Sequence, residues 1–370
     1  MLKRVLKKSP IGQGKEVSRY SSHAVVYPAF DYLVWLLSSR SDWLPRSHHA
    51  YLLQGMKEWT IWPWSGKASD SDYDDTHSGV WQDLIRLSPG NLDGISALGG
   101  TFLRLKRYSE AADLAESAIK IRPDRANLYA LLGTSYMFLG SEDKATDAFK
   151  KALEIDPRPF MFNNVAYTMA EANKSLSLSL EYAQRAVKQE ETASANMALS
   201  SLTLDDLARM SRLAAYWDTL GWVHFKIGNL EQAEKYVDAS LRLSESTTVR
   251  DHLIEIRKKR GPHAQKSLED SSTLRTVKLS RLVPGEASAE FFVVLSRAQG
   301  TSEGKVEEVK FIKGSDELKS ADRALKSAKF SSVFPDDGPT RLVRRGILGC
   351  YAYTGCSFVM LYANDVHSLD

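Results

Sequence analysis

The stretch ANLYALLGTSYMFLGSEDKATDAFKKALEIDP, residues 126–157, holds two apolar helical patterns that are separated by a Gly–Ser turn and closed by a proline. Pro89, Pro123 and Pro157 recur at one constant interval, and each closes an apolar helical pattern. That interval matches the period of about 34 residues that is typical of helix–turn–helix units stacked into a solenoid. The sequence therefore predicts an α-solenoid in the middle of the chain.

Equivalent positions of successive units carry the residue types that this packing requires. Small residues at positions 8, 20 and 27 let the two helices of a unit cross closely, and large residues at 4, 7, 11 and 24 fill the space between hairpins. The small residues are Gly99, Ala111 and Ala118 in one unit and Gly133, Ala145 and Ala152 in the next. The pattern resembles the tetratricopeptide repeat, and it predicts units near 92–125, 126–158, 159–193 and 214–247 within a solenoid over 81–260.

Residues 194–213 interrupt the period between the third and fourth units. Thr203, followed by Asp206, resembles a helix N-cap, so the sequence predicts a short extra helix that ends at Met210. The fourth unit then opens with Trp217, Leu220 and Gly221, the Trp-x-x-Leu-Gly pattern of the repeat. A last helical stretch after Ser246 is expected to stop near Arg260.

Residues 1–80 form a poorly defined N-terminal segment to which the sequence assigns no fold. No apolar run reaches the ~18 residues that a membrane helix needs, so no transmembrane segment is predicted. A basic start without an apolar core predicts no signal peptide and, by default, a cytoplasmic protein. The formal net charge of +3 is too small to indicate nucleic acid as a partner.

The periodicity changes after a linker at 261–274, where residues 275–370 predict a small α+β domain of order β-β-α-β-β. Alternation of apolar and polar residues predicts strands at 289–297, 304–313, 340–349 and 356–363. Residues 315–330 place Leu318, Ala321, Leu325 and Ala328 on one face of a predicted helix. The fold class predicted for the whole chain is mainly α, a solenoid followed by this domain.

The two cysteines, Cys350 and Cys356, flank a five-residue loop between the last two predicted strands. Opposed positions of an antiparallel pair are close enough for a disulfide, and two reduced thiols are the alternative. A disulfide would argue for an oxidising compartment. A metal site would need two further ligands with only His367 nearby, so we expect no metal.

Two runs resemble the C-terminal half of large bacterial proteins that combine a transglutaminase-like module, tetratricopeptide repeats and a short terminal domain. They are residues 214–222 and 334–350. The terminal domain is also similar to the C-terminal domain of TonB. The resemblance implies a bacterial protein of the periplasm or cell envelope. A transglutaminase-like site requires a nucleophilic cysteine, and no cysteine precedes Cys350, so its activity is not carried over.

No spacing of His, Ser, Cys or carboxylate residues predicts catalysis or a cofactor, and His224 is expected to be a core residue. The sequence predicts a non-catalytic scaffold that binds a protein or peptide along the inner face of the solenoid. Ser96 and Gly100 stand where repeats that hold acidic chaperone tails carry Lys and Asn, so that partner is not expected. The predicted binding residues are Arg104, Asn127, Thr134, Phe138, Asn163, Tyr167, Asp218, Trp222 and Lys226.

Three alternatives stay open. The aromatic residues of this face could instead pack against the extra helix at 194–213. The α+β domain could dock a cell-envelope partner while the repeats only space it. The chain could also be an accessory subunit of a separate transglutaminase-like enzyme.

Overall fold

The computed structural model describes residues 81–82, 85–86, 88–261, 275–298, 301–330, 334–336 and 338–370. The N-terminal segment 1–80 and the linker after Gly261 lie outside the described residues. The chain divides into two compact units, the first ending at Ser135 and the second beginning at Tyr136, and each is described by itself.

Antiparallel helix pairs form most of the described chain. The first compact unit contains short helical pieces at 81–82 and 85–86, α1 (Leu92–Arg104), α2 (Tyr108–Ile121) and the start of α3 (Ala126–Phe138). The second unit continues with α4 (Glu142–Ile155), α5 (Pro159–Glu171), α6 (Leu176–Ser194), α7 (Leu204–Ile227), α8 (Leu230–Leu243) and α9 (Thr247–Arg260). The predicted fold class, a helical solenoid followed by a small strand-rich region, is confirmed. Within the described ranges, no helix combines the length and apolarity needed to cross a bilayer.

In each of the four repeats, the turn between the two helices contains a residue with left-handed backbone conformation at repeat position 15. These residues are Lys106 (φ 58°), Gly140 (φ 86°), Asn173 (φ 52°) and Gly228 (φ 96°). The next amide reaches back to a carbonyl of the preceding helix, as from Asn229 N to the His224 carbonyl (2.9 Å), and equivalent bonds close the other three turns. This is the Schellman arrangement, which satisfies carbonyls at a helix end while reversing the chain.

The two helices of the fourth unit approach closely at Gly221, as the sequence predicts. A Cβ atom at this position would lie 2.5 Å from the side chain of Val237 and 3.0 Å from the Ala233 carbonyl oxygen. Ala233 at position 20 is fully buried, and Ser240 at position 27 donates to the Ala214 carbonyl (2.6 Å). The small residues therefore set the distance between the helices.

The expected short helix ending at Met210 is wrong, because α7 runs without interruption from Leu204 into the fourth unit. Thr203 is the N-cap, as predicted, and it also forms a capping box with Asp206. No proline or glycine separates Met210 from Ala214. The buried residues Leu207, Met210, Leu213, Ala214 and Trp217 keep the three- and four-residue spacing of one helix face.

A six-stranded antiparallel sheet follows the helices. Its strands are β1 (Thr276–Leu279), β2 (Ala287–Arg297), β3 (Gly304–Gly314), β4 (Lys329–Phe330), β5 (Arg341–Tyr351) and β6 (Gly355–Met360), in the order β1-β6-β5-β2-β3-β4. The β2–β3 hairpin lies where the alternation predicts it. A disulfide joins Cys350 and Cys356, which are directly opposed on β5 and β6 with Cα atoms 4.0 Å apart.

The predicted helix at 315–330 is corrected to a 3-10 turn, Asp316–Leu318, and a short helix α10 (Asp322–Ser327). The chain leaves the helix because Lys329 and Phe330 pair with β3 at the edge of the sheet. The four apolar residues assigned to the helix face are nevertheless buried. Strand β1, which the sequence did not predict, is a segment of only four residues that pairs with β6.

Polar contacts of long sequence separation join the sheet region to α6 and α8. Tyr236 donates to Asp336 (2.6 Å), and the Arg341 amide donates to Ser194 Oγ (3.3 Å). Glu191 is 4% exposed and accepts a hydrogen bond from Trp217 Nε1 (2.9 Å). Burial, with the nearby charge of Asp336, raises the pKa of Glu191 to about 7, although the Trp217 bond opposes the shift.

We predict that Lys106→Gly stabilises the chain. A lysine with positive φ is strained, whereas glycine adopts this conformation freely, so the free energy of unfolding should rise by about 0.5–1 kcal/mol. Urea unfolding followed by circular dichroism measures the change. Lys106→Ala keeps the strain and should bring no gain, while Gly228→Lys should lower stability by about 1 kcal/mol. Equal effects of Gly and Ala at position 106 would contradict the prediction.

We predict that Glu191→Gln flattens the dependence of stability on pH. The folded chain keeps the Glu191 proton up to about pH 7, whereas the unfolded chain releases it near 4.5. The contribution of Glu191 to the free energy of unfolding is therefore complete below pH 4.5. It falls by about 3 kcal/mol as the pH rises to 7. Urea unfolding at several pH values measures it, with Glu181→Gln on the same helix as the control. A slope that Glu191→Gln leaves unchanged would refute this origin.

Candidate functional site

Three rings from α7 and α9 form a stack on the inner face of the third and fourth repeats. Trp222 stacks on His252 with centroids 3.9 Å apart and an interplanar angle of 15°, and on Phe225 at 4.8 Å and 18°. The indole of Trp222 is 4% exposed, so the stack is a fixed part of the fold. We call Trp222, Phe225 and His252 the ring stack.

A buried carboxylate holds the imidazole of the stack. Asp218 Oδ1 and Oδ2 lie 2.9 Å and 3.2 Å from His252 Nδ1. Both side chains are about nine-tenths buried. Because buried charges need partners, this pair holds α9 against α7 below the surface of the inner face.

Residues of α5 complete the same face. Glu171 Oε1 accepts a hydrogen bond from Trp222 Nε1 (2.6 Å), and the ring of Tyr167 lies 6.4 Å from that of His252. Burial raises the pKa of Tyr167 to about 12, and the negative charges of Glu171 and Asp218 add to the shift. The phenol therefore stays protonated at physiological pH and can act as a hydrogen-bond donor.

Two lysines cover the ring stack with positive charge. Lys226 Nζ lies 4.6 Å from the centroid of Trp222, and Lys259 Nζ lies 4.9 Å from that of Phe225. These are cation–π distances. Within the described residues neither lysine forms an ion pair, so the face presents two ammonium groups on an aromatic support.

The structure corrects the expectation that Asp218 and Trp222 are exposed binding residues. Both are buried, because His252 of α9 contacts each of them. The ring contacts of Trp222 are with His252 of α9 and Phe225 of α7, and packing of the aromatic residues against 194–213 stays a prediction. Lys226 and Tyr167 are half-buried and remain accessible at this face.

The other predicted binding residues lie on the first helices of their repeats. Arg104, Asn127 and Phe138 are exposed, whereas Thr134 and Asn163 are half-buried. In the described region the Oδ1 atom of Asn163 is buried and has no hydrogen-bond partner. A role in partner binding stays a prediction for all of them.

Sequence reasoning missed His252, although the repeat period carries a signal for it. A fifth repeat in the same register would start at position 248. His252 would then be at repeat position 5, the position that Asp218 holds in the fourth repeat. The expected end of this helix near Arg260 is confirmed. Counting its positions as a further repeat would have placed His252 on the inner face.

The remaining candidate groups lie elsewhere. His224 is half-buried and stacks on Tyr236 with centroids 5.9 Å apart, and burial lowers its pKa. No group of three or more His, Cys, Asp or Glu residues that could hold a metal occurs in the described parts of the chain.

Comparison with known proteins agrees with the repeat assignment. The family model for the tetratricopeptide repeat matches residues 126–159 and 214–247, the second and fourth units. The Hsp70-Hsp90 organizing protein of Triticum aestivum is 34% identical over 80 residues, which are 22% of this chain and 14% of that protein. The chain thus carries tetratricopeptide repeats, whose stacked helices generally serve as protein-binding scaffolds.

Solved structures with similar helices include PilF of Pseudomonas aeruginosa and YrrB. PilF is 20% identical, with a TM-score of 0.37, over 48% of this chain and 73% of PilF. YrrB, a tetratricopeptide-repeat protein with an unusual peptide-binding site, is 17% identical, with a TM-score of 0.26, over 48% of this chain and 99% of YrrB.

We predict that His252→Ala destabilises the chain by about 2–3 kcal/mol, because it leaves the Asp218 carboxylate buried without its partner and removes a stacking contact. Urea unfolding measures the loss. Asp251→Ala, at the exposed neighbouring position, should cost less than about 0.5 kcal/mol. Adding Asp218→Asn should restore part of the loss, since the buried charge is then gone. Additive effects of the two substitutions would contradict the pairing.

Proposed function

We propose that the chain is a non-catalytic scaffold that binds an extended peptide segment of a partner protein at the inner face of α5, α7 and α9. The observation that carries this proposal is the pair of ammonium groups, Lys226 and Lys259, held over the ring stack without carboxylate partners in the described chain. Their charge is available to a ligand.

The chemistry of the face favours a peptide with a carboxylate next to an apolar side chain. The carboxylate would pair with Lys226 or Lys259, and the apolar side chain would contact the half-buried edge of Phe225. Tyr167 lies on the neighbouring helix and can donate a hydrogen bond to a peptide carbonyl. Because the rings are already packed by His252 and Asp218, little ordering is required on binding, which favours affinity.

Helices α1 and α3 supply further candidate binding residues from their repeat positions. Arg104, Asn127, Thr134 and Phe138 would each contact a segment bound to their own repeat. Inner faces of helical repeats read extended segments in this way, several residues at a time.

A second candidate function is docking through the sheet region, and one observation favours it. The disulfide-closed β5–β6 hairpin carries Tyr351 and Tyr353, which are 56% and 99% exposed. Exposed tyrosines are enriched in binding surfaces. This would suit a cell-envelope module that presents the hairpin to its partner.

A pull-down from native lysate with charge-reversal variants tests both proposals. Lys226→Glu with Lys259→Glu should weaken capture of the principal partner at least about tenfold, because attraction becomes repulsion. Lys235→Glu, at an exposed lysine on α8 that pairs with Glu231, is the control and should leave capture intact. Melting temperatures of all variants should agree within about 2 °C, as expected for substitutions at accessible positions.

The outcome separates the two functions. Capture that survives the double reversal but is lost in Tyr351→Ser with Tyr353→Ser would overturn the inner-face proposal and support the hairpin. Loss in the Lys235→Glu control would show that net charge, and not the inner face, determines binding.

A further inference from the structure

Three arginines surround a small cavity between α8 and the sheet region. Arg242 comes from α8, Arg344 from β5, and Arg275 directly precedes β1; Ala239, Leu243, Leu342 and Met360 complete the lining. The cavity volume is about 10 Å³, room for one water-sized group. The lining is thus apolar apart from three guanidinium groups.

Arg344 is the most unusual of the three. Its side chain is 3% exposed, and one terminal nitrogen donates to the carbonyls of Leu361 (2.7 Å) and Arg242 (3.3 Å). Its Nε atom is buried and has no hydrogen-bond partner among the described residues. Burial, with the positive charge of Arg275, lowers its pKa to about 9.

Arg275 lines the same cavity and makes similar contacts. It donates to the Met360 carbonyl (2.8 Å) and lies 3.7 Å from the centroid of the Tyr362 ring. Its buried Nε is also without a partner in the described region. Neither Arg275 nor Arg344 contacts a carboxylate of the described chain.

The other buried arginines of the second unit are neutralised by acids. Arg345, the neighbour of Arg344, donates to Glu290 at 2.6 and 2.8 Å, and Arg257 donates to Glu234 at 2.8 Å. Arg242 itself pairs with Asp238. A buried charge without a counter-charge costs several kcal/mol, so the buried Arg344, with the half-buried Arg275 beside it, favours a negative group that the described chain does not supply.

We propose that the cavity between Arg242, Arg275 and Arg344 binds a single monatomic anion, chloride under physiological conditions. The cavity has room for about one small group, so a monatomic anion fits it better than a sulfate or a carboxylate-bearing molecule. The anion would accept hydrogen bonds from the guanidinium groups and neutralise those of Arg275 and Arg344, since Arg242 pairs with Asp238. Because the arginines come from α8, β5 and the residue before β1, the ion fixes the sheet region to the repeats.

Thermal unfolding of the full chain tests the site at constant ionic strength, with sodium chloride in one series and sodium gluconate in the other. A ligand that binds only the folded state raises its stability, so the midpoint should be higher in chloride by at least about 2 °C. Equal midpoints in the two salts would overturn the proposal.

Two variants separate the site from general salt effects. Arg344→Met and Arg275→Met should each abolish the difference between chloride and gluconate, and Arg344→Met should unfold no earlier than the wild type in gluconate, since the buried charge is gone. Arg341→Met on the same strand loses an arginine that pairs with Glu307 and Glu308, and should retain the difference. Retention of the difference in both site variants would refute the assignment.

Diffraction from crystals grown in sodium bromide needs no substitution and decides the location. An anomalous peak within hydrogen-bonding distance of Arg275 and Arg344 is expected. A water molecule or empty density in the cavity would overturn the proposal.

Discussion

The left-handed residue at position 15 is the constraint on which each repeat depends. It reverses the chain within one residue and lets the following amide satisfy a carbonyl of the preceding helix, as in Lys106, Gly140, Asn173 and Gly228. A short, fixed turn forces the two helices to run antiparallel from their first residues. They can pack only if small residues meet at the crossing, which is why Gly221 contacts Ala233 and Val237 so closely.

The same period that builds the hairpins also builds the inner face. Asp218 is at position 5 of the fourth repeat, and His252 is at position 5 when the same register is continued into α9. Regular stacking therefore brings the carboxylate and the imidazole together. The ring stack follows from this register, because Trp222 at position 9 then lies beside His252. A helix beyond the four repeats completes the face, and buried contacts fix the aromatic support while Lys226 and Lys259 stay available above it.

Sequence patterns predicted the features that depend on local spacing and missed those that depend on distant partners. The four units, the N-cap at Thr203 and the β2–β3 hairpin each have a signal contained in one short stretch of the chain. The end of the helix at 315–330 is decided by pairing of Phe330 with Gly304, and β1 exists because β6 offers it an edge. Burial of Trp222 and Asp218 likewise depends on α9, a helix that lies beyond the four predicted repeats.

The long helix α7 takes part in both surfaces of the fourth unit. Near its start, Leu207 and Met210 line a small cavity together with residues of β5, so the sheet region packs on this part of the helix. Polar bonds from Ser194 of α6 and Tyr236 of α8 add to the attachment. The end of α7 carries two rings of the ring stack and Lys226. Because α7 runs without interruption between the two regions, packing of the sheet on its first turns also stiffens the face that we propose for a partner.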